Sequence, residues 1–141
     1  MSLVMTVCFP DEERRGSFRP GAELGPDLVA SWLRPVFPDF TLPDADEPEV
    51  DISRDAEWFH VSSTLYAGSH GVRAVHTRFT RLRNRYEGID EYRSELADLT
   101  RPLLGLARAG GARLLVDDAG DDLTDAEPAD IAEFLTGSGP E

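Results

Sequence analysis

Lysine is absent: all 14 basic residues of the 141-residue chain are arginine, and against 27 acids they leave a formal net charge of −13. Such a field repels polyanions, so neither nucleic acid nor an anionic membrane surface is an expected partner, whereas a basic protein is. Cysteine is nearly absent. Cys8 alone excludes an intrachain disulfide and any cysteine-built metal site, and it fits a reducing, cytoplasmic setting. No apolar run reaches membrane-spanning length. The opening MSLVMTVCFP lacks the basic region and apolar stretch of a secretory signal. Gly-rich phosphate loops, a serine-centred elbow and zinc-ligand spacings are missing too, so no cofactor and no metal are expected. Arginine in place of lysine, with abundant Ala, Gly, Pro and Asp, fits a GC-rich bacterial coding sequence.

What is present centres on Glu57 to Arg85, EWFHVSSTLYAGSHGVRAVHTRFTRLRNR. Two runs of β-branched and aromatic residues flank Ala67-Gly68-Ser69-His70-Gly71, which reads as a hairpin with a five-residue loop. Alternate side chains of a strand face opposite ways. Phe59, Val61, Leu65, Val75 and Phe79 then share an apolar face. Trp58, His60, Ser62, Tyr66, His76 and Arg78 share a polar one. Pairing Tyr66 with Val72 sets His60 opposite Arg78, Ser62 opposite His76 and Phe59 opposite Phe79, and a one-residue slip would destroy that agreement.

The rest of the chain supplies the other layer. Ser2–Phe9 is apolar on both faces, as a central strand would be. Pro26–Arg34 reads as a helix stopped by Pro35 and Pro38, and Val50–Ser53 as a short strand. Ile89, Tyr92, Leu96, Leu99, Leu103 and Leu106 recur at helical spacing up to Gly110-Gly111, with a kink or an end expected near Pro102. Arg113–Val116 is a strand, returning after a crossover long enough for parallel pairing. Thr124 and Glu127 have capping-box spacing ahead of a helix, Ala126–Leu135, that should bury Ile131, Phe134 and Leu135. The expected class is α+β: one mostly antiparallel sheet in the order β-α-β-β-β-α-β-α, with helices on one face. Residues 1–135 are expected to form one domain and 136–141 a disordered tail.

Four groups of side chains are candidates for function. His60 and His76, with Ser62 and Arg78, form a set suited to acid–base cleavage of a phosphodiester if they lie side by side. Histidine on an exposed strand is commonplace, however, and His76-Thr77-Arg78 lacks the H-x-[ST] pattern of His60-Val61-Ser62. Asp117, Asp118, Asp121, Asp122 and Asp125 resemble a cation loop only loosely, since Asp122 and Pro128 stand where an EF-hand requires Gly and Glu. Cluster of this kind is also what turns and helix starts select. Arg73, Arg78, Arg81, Arg83 and Arg85 form the one basic island, best read as counter-charge to the acids that flank it. The polar hairpin face, finally, carries Trp58, Tyr66 and Arg78, the residue types that dominate binding hot spots.

The resulting expectation is a non-enzymatic acidic binding protein, comparable in role to an immunity protein, antitoxin or inhibitor, that holds a basic protein partner. Trp58, His60, Tyr66, His76 and Arg78 would make its contact surface. Asp51, Asp55, Glu57, Asp117, Asp118, Asp121 and Asp122 would steer association. The alternatives are a small hydrolase or nuclease using His60 and His76, and an accessory subunit of a bacterial assembly.

Overall fold

In a computed structural model, which describes residues 2–11, 13, 14, 17–116 and 121–136, five strands form a single sheet. They are β1 (Ser2–Cys8), β2 (Glu49–Asp55), β3 (Phe59–Ala67), β4 (Val72–Arg81) and β5 (Arg113–Val116). The helices are α1 (Pro26–Leu33), α2 (Ile89–Gly110) and α3 (Pro128–Thr136). The order across the sheet is β2-β3-β4-β1-β5 and every neighbouring pair is antiparallel. The fold is α+β, and the element order is the one the sequence implies. Parallel pairing of β5 is corrected: it lies beside β1, which runs between β4 and β5 and opposes both. The crossover through α2 does carry the chain back in the direction of β4, but one strand further out.

One face of the sheet is apolar and lies under the helices. Met5, Val7, Leu65, Val75, Phe79 and Leu114 are 0–1% exposed, so the odd positions of the hairpin are core, as their alternation requires. The stripe of α2 closes over them: Tyr92, Leu96, Leu99, Leu103 and Leu106 are all buried. Tyr92 packs on Phe59 with ring centroids 4.9 Å apart, and Phe59 meets Phe79 edge-on at 6.2 Å. Two glycines shape this helix. At Gly105 the Trp32 ring of α1 approaches so closely that an added Cβ would lie 2.5 Å from it, and Gly111 closes the helix in the left-handed conformation at φ 70°. Pro102 does not end α2, which continues through it to Gly110.

The hairpin register differs from the expected one by two residues. Val61, not Phe59, faces Phe79, and Ser62 faces Arg78. The loop is shorter, Gly68 to Gly71, and an irregularity at Tyr66/Ala67 pairs Ala67 with Val72 but Tyr66 with Ala74. A shift of two keeps each side chain on its own face, so burial follows the sequence pattern while cross-strand partners change.

At the C-terminal end α3 starts at Pro128 rather than Ala126. Thr124 does not cap it: its hydroxyl donates to Asp122 and accepts the N–H of Leu114, tying the preceding turn to β5. Ile131 is fully buried, whereas the side chains of Phe134 and Leu135, and residues 137–141, lie outside the described residues.

Candidate functional site

Among the described residues no helix covers the second face of the sheet. The pairing registers set out its rows from edge strand β2 to β5. One row runs Asp51, Thr64, His76, Thr6 and Leu115, another Ser53, Ser62, Arg78 and Val4. A third holds Asp55, His60 and Thr80. A fourth runs Glu49, Tyr66, Ala74, Cys8 and Arg113. The fourth row is tight, with Ala74 and Cys8 at 0% and 2% exposed, whereas Arg78 stands exposed at the centre of the face.

The polar side chains on this face bond to one another along the rows. Thr64 Oγ1 donates to Asp51 Oδ1 at 2.6 Å, and Thr6 Oγ1 bonds His76 Nδ1 at 2.9 Å. His60 Nδ1 meets Asp55 Oδ1 at 2.5 Å, a half-exposed pair at the sheet edge. These bonds hold His60, Thr64 and His76 in place, so this part of the face is pre-ordered without being closed to solvent.

Of the expected contact residues, His60, Tyr66, His76 and Arg78 do share this open face. Trp58 does not. It precedes β3, is 4% exposed, and stands edge-on to Tyr92 at 6.1 Å beneath the Arg83 guanidinium at 4.2 Å. The cause is Glu95 of α2, whose carboxylate accepts the N–H groups of Glu57 (2.9 Å) and Trp58 (2.7 Å) and draws the turn onto the helix. Strand alternation therefore stops at Phe59.

The two histidines are also further apart than a neighbouring pair. His60 faces Thr80 and His76 faces Thr64, with the Ser62–Arg78 row between them. Four residues along and one strand across amounts to roughly 14 Å between Cα atoms. One ring taking and the other giving a proton at a single phosphodiester needs both within hydrogen-bond reach, and this spacing does not provide that.

The acids fall on two opposite margins. Glu49, Asp51 and Asp55 project from β2 on the open-face side and are exposed. Glu57, in the turn beyond, is bound to Arg83 at 2.9 Å. Past the other edge, residues 121–123 run alongside β5 through Val116 N–H to Asp121 and Leu123 N–H to Leu114, which covers its free edge. Asp121 is exposed, while Asp122 is held by Arg113 at 2.6 Å. Partial burial would raise the Asp122 carboxyl, but the Thr124 hydroxyl and the Arg113 guanidinium outweigh it and hold the group below its ordinary value. Asp117 and Asp118 lie outside the described residues. No group of three His, Cys, Asp or Glu is placed to hold a metal ion among the described residues, nor is any helix there long and apolar enough to cross a membrane.

The basic island is dispersed. Arg83 serves Trp58, Glu57 and Glu87, Arg73 lies over the Phe18 ring at 5.8 Å, and Arg78 faces solvent. Sequence reasoning missed Val4 and Thr6 as members of the face. Thr64 lies on the face its even position assigns it, but Val4 and Thr6 belong to it only because β1 pairs with β4, which no local pattern encodes.

No family model, curated protein or solved structure matches the chain.

Proposed function

We propose that this is a non-enzymatic binding protein of the immunity-protein, antitoxin or inhibitor kind, which holds a basic protein partner against the open face of its sheet. The observation that carries this reading is the pairing of a helix-free, pre-ordered polar face with exposed carboxylates at its β2 margin, in a chain of net charge −13. Such a margin speeds encounter with a cationic surface, and the face behind it offers Tyr66, Arg78 and several hydroxyls for the contact itself. Trp58 belongs to the supporting core and not to the contact. A cytoplasmic location suits the buried Cys8, which is in no disulfide.

The test is affinity capture from the native host's lysate with the wild-type chain and with Asp51→Arg/Asp55→Arg as bait. A basic protein retained in a stoichiometric, salt-sensitive complex by the wild type and lost with the variant supports the reading. Capture of only acidic or neutral proteins, or equal capture by both baits, refutes it.

A further inference from the structure

The loop leading into α1 and the turn of the β3–β4 hairpin border a half-open pocket of about 340 Å³. Backbone bonds fix its walls. Arg19 N–H donates to the Phe9 carbonyl at 2.7 Å, and Leu24 and Val72 exchange bonds of 2.7 and 2.9 Å. Glu23 ties the two walls together, its carboxylate accepting the N–H groups of Ser69 (2.8 Å) and His70 (2.7 Å). The carboxylate fills the space where a side chain at Gly68 would begin, 2.2 Å from an added Cβ.

Two arginines, Arg19 and Arg73, line this pocket, and both are exposed. Three other arginines meet acids, Arg83 at Glu57, Arg101 at Asp98, and Arg113 at Asp122 and Asp125, while Arg54 and Arg108 bond to backbone carbonyls. Neither Arg19 nor Arg73 forms an ion pair with a described residue; Arg73 lies instead over the ring of Phe18. The pocket's own acid, Glu23, has each of its oxygens engaged by a backbone N–H. In a chain with nearly twice as many acids as bases, 27 to 14, two arginines without an ion pair among the described residues line one recess, and its single acid, Glu23, is turned onto the hairpin amides, which gives the recess the character of an anion site.

We propose that this pocket binds a small organic anion, a carboxylate or phosphate monoester, with its acid group between Arg19 and Arg73 and its apolar part against Phe18 and Pro20. Guanidinium forks suit the planar or tetrahedral oxygens of such groups, and the volume falls in the range of about 300–1,000 Å³ usual for small-ligand sites. The site is built from the α1-side loop and the hairpin turn, so it does not depend on the partner-binding reading of the open face.

The test is an NMR titration of the full chain with phenyl phosphate, with inorganic phosphate in parallel. Saturable shifts at the amides of Gly21, Gly68 and Ser69 are expected, with inorganic phosphate the weaker ligand. Arg19→Gln and Arg73→Gln should each weaken phenyl phosphate binding by about tenfold, the scale of one charge-assisted hydrogen bond, while Arg101→Gln, on the exposed side of α2, leaves it unchanged. All three variants should retain the wild-type melting temperature. Three results would overturn the proposal: no saturable response to phenyl phosphate, equal affinity for inorganic phosphate, or equal losses in all three variants.

Discussion

The two faces of one sheet share the same strands and differ in what covers them. On the helix side Phe59, Leu65, Val75 and Phe79 are sealed beneath α2. On the other side His60, Ser62, Thr64 and His76 from the same two strands remain partly exposed, and His60, Thr64 and His76 bond along rows. The stabilising burial is thus concentrated on one side, which leaves the other free to vary its chemistry at little cost to the fold.

The largest expected effect comes from placing a charge beneath the helices. Leu96 is fully buried on α2, so Leu96→Asp should abolish cooperative folding, read as loss of the thermal transition. Next come truncations. Phe79→Ala and Trp58→Ala should each cost about 3–5 kcal/mol in denaturant unfolding, whereas His76→Ala and Ser62→Ala on the open face should cost far less. Trp58 is the sharper case, because a solvent-facing Trp58 would give a small loss of stability and a large loss of binding instead.

A subtler break of the same contrast lies within the covered face. Ser63 and Thr77 are 0% and 1% exposed and bond to each other at 2.7 Å amid apolar neighbours. Removing one hydroxyl strands the other, so Ser63→Ala should cost about 1–3 kcal/mol. Adding Thr77→Val should restore part of that loss in a double-mutant cycle. On the open side, a lost hydroxyl is replaced by water and no such coupling is expected.

The hairpin parity was legible because burial enforces it: a one-residue slip would expose Phe59 and Phe79. The register was not, since a two-residue shift leaves every side chain on its face, and the irregularity at Tyr66/Ala67 decides between them. The α2 stripe was legible from spacing alone. Trp58 was misplaced because strand alternation was carried one residue past the strand, where the tertiary bonds to Glu95 govern. Val4 and Thr6 went unnoticed as members of the face for a similar reason, since strand order comes from how the layers assemble. Thr124 satisfies a capping spacing yet bonds to Asp122 and Leu114, a choice between two local partners that sequence leaves open.

The smallest effect concerns pH at the hairpin turn. The N–H of His70, more than those of Ser69 and Gly71, holds the Glu23 carboxyl below its ordinary value of 4.5. A carboxyl lowered on folding contributes stability above that ordinary value and loses it as pH falls through the lowered one. The melting-temperature gap between the wild type and Glu23→Gln should therefore be present at neutral pH and shrink on acidification below about 4.5. A gap constant from neutral to strongly acidic pH would mean that the carboxylate does not anchor the turn.

The central claim is that the open face meets a partner while the covered face only supports it. Its most direct measurement is association kinetics with the captured basic partner, for wild type and for Asp51→Arg/Asp55→Arg, at two ionic strengths. Rim charges act mainly on encounter, so the variant should associate more slowly at low salt, with the difference narrowing at physiological salt, where the screening length is about 8 Å, and with melting temperature unchanged. Equal association rates for the two proteins at low salt would contradict the claim.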